Sequence, residues 1–105
     1  MEYVISAAKA TVIVIPDIVE INGNQYKVTS VAKGAFRNNR NVKTIVIGKN
    51  VTTIGTQAFY KCTSLTSVAM PSKLTTIGTQ AFYKCSSLTS VNISAGVTSI
   101  GGLAF

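Results

Sequence analysis

Apolar residues along this chain fall into columns spaced 23 residues apart. Ala-Phe recurs at 35–36, 58–59, 81–82 and 104–105 without a slip of register. Further columns keep the same spacing: Val28, Val51, Leu74, Val97; Val31, Ile54, Ile77, Ile100; Val42, Leu65, Leu88; Ile45, Val68, Val91; and Ile47, Met70, Ile93. A fixed period of this length marks a repeat architecture in which each unit buries its apolar face against the next. These columns therefore define the expected core. Residues 51–68 and 74–91 differ only at Val51/Leu74 and Thr63/Ser86, as expected of recent duplication or of a consensus design.

Within a unit, Leu88-x-x-Val91-x-Ile93 ends in period-2 alternation, which predicts a short strand with Val91 and Ile93 inward and Ser90 and Asn92 outward. Stacked units would align such strands in parallel about 4.8 Å apart. In Thr79-Gln80-Ala81-Phe82-Tyr83-Lys84-Cys85, the one-turn spacing of Ala81, Phe82 and Cys85 predicts a short helical turn capped by Thr79, with Phe82 as the plug between layers. Gly55, Gly78 and Gly101 precede that turn. Either a positive φ or a close backbone approach accounts for them, and Ala32 in the same column speaks against the first. Ile21-Asn22-Gly23-Asn24, between Val19-Glu20-Ile21 and Tyr26-Lys27-Val28, is a two-residue hairpin signature. The expected organisation is an N-terminal cap with a hairpin over 1–27, then repeats at 28–50, 51–73 and 74–96 and a partial one at 97–105.

The pattern Phe82-x-x-Cys85-x-x-Leu88-x-x-Val91-x-Ile93, followed by Val97-x-x-Ile100-Gly101-x-x-Ala104-Phe105, resembles the BspA-like leucine-rich repeat of bacterial surface proteins. The resemblance covers residues 28–105, includes the step Met70-Pro71, and extends to Ile13-Val14-Ile15-Pro16 as an earlier copy interrupted by an insertion. It implies an α/β repeat: a leucine-rich-repeat solenoid of short parallel strands. It also implies a cell-surface or secreted location, adhesion to proteins or cells, and no catalysis through the repeats. The column that usually holds an asparagine ladder reads Asn50, Lys73, Gly96, so a buried amide ladder is not expected.

At 105 residues and 47% hydrophobic content the chain has room for one small domain with a core. Charged residues make up only 12%, and the balance is lopsided: ten Lys and Arg against three acids, net +7, with no acidic residue after Glu20. Polyanionic partners therefore enter consideration. The aliphatic run Val12–Ile15 stops at Pro16, far short of the ~18 residues of a membrane helix, so no membrane insertion is expected. Met1-Glu2-Tyr3-Val4 does not open like a signal peptide; an exported parent would carry its signal elsewhere. The repeats stop at Phe105 without a polar capping segment, so the last layer is expected to continue into a longer array or to pair with another copy at its open edge.

Catalysis is not expected. His is absent, all three acids lie in the cap, and no pairing of Lys, Tyr and Cys has the spacing of a nucleophile with its base. No cofactor is implied. Cys62 and Cys85 share a column, too few ligands for a metal without His. A disulfide between stacked coils lies within the allowed Cα separation. The resemblance places this column inward, so buried free thiols acting as small hydrophobes are preferred.

Two surfaces could bind. Tyr60-Lys61 and Tyr83-Lys84, with Arg37 in the matching column and Arg40 nearby, form a basic and aromatic stripe. It reads either as a polyanion site for nucleic acid or acidic glycan, or as lysines at helical-turn ends with tyrosines covering the core, and the second reading is preferred. The outward strand positions Thr44, Ser67 and Ser90, beside Val46, Ala69 and Asn92, form a flat face of small side chains. The expectation is a protein-binding adhesion module using that face, with a polyanion binder and a self-assembling scaffold as alternatives.

Overall fold

The computed structural model describes Glu2–Tyr3 and residues 10–105. The expected cap falls partly on residues 1 and 4–9, outside the described residues. Among the described residues ten strands follow one another: β1 (Glu2–Tyr3), β2 (Val12–Ile15), β3 (Ile18–Ile21), β4 (Asn24–Lys27), β5 (Ser30–Val31), β6 (Thr44–Ile47), β7 (Thr53–Ile54), β8 (Ser67–Ala69), β9 (Thr76–Ile77) and β10 (Ser99–Ile100). They build a solenoid of short parallel strands, as the repeat pattern requires. A full coil carries two rungs rather than the single rung expected, as in β6 with β7 and β8 with β9, while the last coil has β10 alone. One sheet runs β2-β6-β8; the other runs β1-β5-β7-β9-β10.

The registers show how the period becomes a core. Ile45 pairs with Val68, and Ile54 with Ile77, each one 23-residue period away. Ile13 lies opposite Ile45 and Ile15 opposite Ile47, so β2 is a rung of the same ladder, offset by 32 residues. The difference is taken up by the antiparallel hairpin of β3 and β4, whose turn places Asn22 at φ 51° and Gly23 at φ 80°. Both central residues with positive φ make the twist-compatible hairpin turn that Asn-Gly favours. Asp17 ties the hairpin base to the next coil: its carbonyl accepts from the Val28 N–H at 3.0 Å and from the Asn50 side-chain amide at 3.1 Å, and its carboxylate accepts the Lys49 N–H at 2.8 Å. Asn50 is thus a lone buried amide with a private partner and no ladder.

Val28, Val31, Val42, Ile45, Val51, Ile54, Leu65, Leu74 and Ile77 are all buried. Through their midst runs a stack of phenylalanines. Phe36 and Phe59 have ring centroids 5.3 Å apart, Phe59 and Phe82 5.0 Å, and Phe82 and Phe105 5.2 Å. Phe82 is a plug between layers as expected, one of a continuous series. Truncating buried Phe36, Phe59 or Phe82 to Ala would remove about 3–5 kcal/mol of transfer and cavity energy.

Two expectations are corrected. No strand forms over Leu88–Ile93, where Ser90 and Asn92 occupy the columns of Thr44 and Val46. Ser and Asn fit a pleated, half-buried surface less well than Thr and Val, and the segment is held by Ser87 Oγ donating to the Thr63 carbonyl at 2.6 Å and Ser94 Oγ to the Pro71 carbonyl at 2.8 Å. The turn around Phe82 is not helical either, and among the described residues no helix is present. Gln57 and Lys61, and Gln80 and Lys84, have φ between 55° and 58°. An α-helix cannot contain such residues, so Thr79 caps nothing and no helix dipole acts on Lys61 or Lys84.

What replaces the helix is a chain of β-turns stitched to its neighbour. The N–H groups of Ala58, Tyr60 and Cys62 donate back to the carbonyls of Gly55, Gln57 and Phe59 at 3.1–3.2 Å. Between them, those of Gln57, Phe59 and Lys61 donate to Thr79, Ala81 and Tyr83 of the following coil at 2.8–2.9 Å. The backbone donors from Gln57 to Cys62 are thus satisfied without helical geometry. The glycine question is settled for close approach: a Cβ on Gly78 would lie 2.6 Å from the Thr56 nitrogen and 2.7 Å from the Gly55 carbonyl carbon, and Gly78 has no positive φ.

Candidate functional site

The outward side of the three-stranded sheet carries two columns: Val12, Thr44 and Ser67, and Val14, Val46 and Ala69. Alternation forces this, because Ile13, Ile15, Ile45 and Ile47 take the inward positions. Val12 is 57% exposed and Val14 59%, with Val46 and Ala69 also open to solvent. The face therefore unites four of the six expected residues and adds two valines. The remaining two, Ser90 and Asn92, are exposed beside it but outside the ladder. Val12 and Val14 escaped the sequence reading because the hairpin insertion breaks the 23-residue register; the alternation in Val12–Ile15 was the available signal.

The turn ridge brings together most of the basic stripe. Tyr60 stacks on Tyr83 with centroids 5.8 Å apart. The Arg37 guanidinium lies over the Tyr60 ring at 5.4 Å, and the Lys61 and Lys84 ammonium groups lie 5.4 and 5.6 Å from the centroids of Tyr60 and Tyr83. Arg40 is exposed and stands apart from this array. Because Arg37, Tyr60 and Tyr83 sit on successive coils in one column, Tyr60 is sandwiched between the guanidinium and the second tyrosine. Exposed cation–π contacts of this kind contribute about 0.5–1 kcal/mol each.

The ridge also carries strain. Asn38, Lys61 and Lys84 share a column with φ of 61°, 55° and 58°; Gly34, Gln57, Gln80 and Leu103 share another with φ of 55–66°. Gly and Asn enter this region readily, whereas Lys and Gln pay about 1 kcal/mol each. Gln57 Nε2 donates to Gln80 Oε1 at 2.7 Å, which offsets part of that cost on the glutamine column.

Cys62 and Cys85 are free, buried thiols, as preferred from sequence. Each donates to a backbone carbonyl of the preceding coil, Cys62 to Phe36 at 3.2 Å and Cys85 to Phe59 at 3.1 Å. The neighbouring Cys85 side chain, then burial, hold the Cys62 thiol well above its ordinary range. Among the described residues no group of three His, Cys, Asp or Glu could hold a metal, and no helix is long and apolar enough to cross a membrane. A shallow depression lined by Leu88, Thr89, Ser90, Val91, Ile93 and Phe105 carries no titratable side chain.

Parallel rungs, a buried phenylalanine stack and coils of fixed length define a leucine-rich-repeat solenoid. More narrowly, the chain belongs to the BspA type leucine rich repeat family, whose pattern matches residues 12–105 in six copies. It is similar to a leucine rich cell surface protein from Faecalibacterium prausnitzii A2-165, at 36% identity over 95% of this chain and 27% of that one, with a TM-score of 0.81. Leucine-rich repeat proteins from Bacteroides ovatus (34% identity, 86% of this chain, 24% of that one, TM-score 0.81) and Bacteroides capillosus (32%, 87%, 66%, TM-score 0.82) are similar as well. The chain thus spans about a quarter of the first and two thirds of the last. No curated protein matches it.

Proposed function

We propose that this chain is a non-catalytic protein-binding module of a bacterial cell-surface or secreted adhesin, and that it meets its partner through the outward side of β2, β6 and β8. The observation that carries the reading is the row of exposed valines, Val12, Val14 and Val46, on a flat sheet otherwise lined by small residues. Contiguous apolar surface on a rigid sheet is a feature of interaction sites. Membership of the family and the likeness to a protein described as a leucine rich cell surface protein support the location.

The test is adhesion of beads coated with the purified chain to extracellular-matrix proteins and to epithelial cells, with a Val14→Asp/Val46→Asp variant alongside. Both positions are exposed, so the variant should keep the wild-type melting temperature while adhesion falls to background. Undiminished adhesion would remove the sheet face from the proposal; wild-type beads that adhere to nothing would remove adhesion itself. Light scattering on both proteins provides the control for self-assembly: a concentration-dependent mass lost in the variant would mean that the face pairs with a second copy.

A further inference from the structure

The turn ridge carries an observation that the sheet face does not explain. Lys61 and Lys84 occupy backbone positions with φ of 55° and 58°, in the column where the first coil has Asn38 at 61°. Asparagine adopts that conformation more readily than lysine. The two lysines therefore stand where a neutral residue already used by the same fold would suit the backbone better. Lys84 is exposed and Lys61 half-buried, and strain held at such surface positions is a pointer to a role outside the fold.

Their surroundings say what the role is. Arg37, Lys61 and Lys84 belong to successive coils, so together they span roughly 10 Å along the solenoid axis at the spacing of neighbouring rungs. No acidic residue follows Glu20 in the sequence, so no carboxylate of the repeats is available to neutralise them. The lysines are held against Tyr60 and Tyr83. Those contacts also restrict the ligand. Single-stranded nucleic acid binds such stripes by stacking bases on free ring faces. Here one face of Tyr60 is taken by Tyr83 and the other by Arg37. What the ridge offers outward is a line of cations beside phenol hydroxyls.

We propose that this ridge binds a linear acidic polysaccharide, laid along the solenoid axis, with Arg37, Lys61 and Lys84 meeting successive sulfate or carboxylate groups. The site is separate from the sheet face and does not depend on it. A polymer with dense, regularly spaced anions fits a narrow charged strip, and its sugar hydroxyls can pair with the tyrosine hydroxyls.

Heparin is the probe, titrated against the wild-type chain between about 50 and 200 mM salt, where ionic contacts weaken steeply. A Lys61→Asn/Lys84→Asn variant is compared with a Lys43→Asn/Lys73→Asn variant of equal net charge, whose lysines flank the three-stranded sheet. The ridge variant should bind about tenfold more weakly at the lower salt and show a salt slope shallower by about one unit per lysine. Its melting temperature should equal or exceed that of wild type, because Asn suits the backbone. The control variant should bind as wild type does. Equal losses in the two variants would reduce the effect to net charge and overturn the site, as would absence of heparin binding by the wild type. A single-stranded oligonucleotide of matched charge that bound as tightly as heparin would put nucleic acid in the polysaccharide's place. A lowered melting temperature in the ridge variant would overturn the argument from backbone strain.

Discussion

Two aromatic ladders run side by side through this molecule, one residue apart in sequence. Phe59 and Phe82 stack inside it with rings 13° from parallel, while their neighbours Tyr60 and Tyr83 stack on its surface at 29°. Both are products of the same coil spacing, yet they do different work. The inner ladder continues through buried Phe36 at one end and half-exposed Phe105 at the other, and from Phe36 to Phe82 it lies among buried apolar neighbours. The outer one stands half-buried, ends on Arg37, and holds cations in place of hydrocarbon. Stacking geometry alone does not tell a structural column from a functional one. What surrounds the rings does.

The contrast is sharpest under truncation. Phe59→Ala should cost about 3–5 kcal/mol in chemical denaturation, which for so small a domain threatens folding itself. Were Phe59→Ala no worse than Tyr60→Ala, the two ladders would be energetically equivalent and the distinction would collapse. Gly78→Ala addresses the spacing both ladders share: its Cβ would meet backbone of the preceding coil, so a loss of about 1–3 kcal/mol is expected, with weaker near-ultraviolet dichroism from Tyr60 and Tyr83. A wild-type signal would mean that the coils have room to spare.

A smaller effect belongs to the thiol beside the inner ladder. The folded state raises the Cys62 pKa above its ordinary value of 9.0, so its contribution is intact below pH 9 and is lost as pH climbs, because the unfolded chain releases its proton first. The Cys85 thiol is shifted the other way, chiefly by the Cys62 side chain, so the reference that removes both groups is Cys62→Ala/Cys85→Ala. Relative to it, wild type should lose stability above pH 9 by up to about 1.4 kcal/mol per pH unit. Parallel pH profiles for the two proteins would show the thiol to be unburdened by its site. Smallest of all is Tyr60→Ala, expected to cost about 1 kcal/mol or less, since only partly exposed stacking and cation–π contacts are lost.

Much of this could be read from residue order. The Phe and Val/Ile columns repeat at 23 residues and form the core through the first three units, whereas in the last coil Ile93 and Ile100, expected inward, are exposed; Asn22-Gly23 announces a hairpin that is there. The second sheet is not legible in the sequence, because rungs of two residues such as Thr53–Ile54 are too short to display alternation, although the 23-residue period alone places Ile54 in the core, where it is buried. The ridge has a helical signature in sequence, because Ala81, Phe82 and Cys85 have the spacing of one helical turn, yet it folds as β-turns. Its true nature was written in the first coil, where Gly34 and Asn38, both tolerant of positive φ, stand four apart. For the candidate site, Thr44, Val46, Ser67 and Ala69 were foreseeable from alternation. The ridge residues were foreseeable as a stripe, though not as a sandwich, since stacking depends on how closely coils approach.

The hydrogen bonds between coils have a direction. On the ridge, Phe36, Phe59 and Phe82 donate forward, to Ala58, Ala81 and Ala104; at the glycines, Gly55, Gly78 and Gly101 donate backward, to Val31, Ile54 and Ile77. Each coil thus presents the same plug on one rim and the same socket on the other. Excision of residues 51–73 would bring together rims that already fit, whereas excision of one residue more or fewer would put every plug out of line. Such a gene can lengthen or shorten by unequal recombination between near-identical units, changing the reach of its product without having to solve the folding problem again.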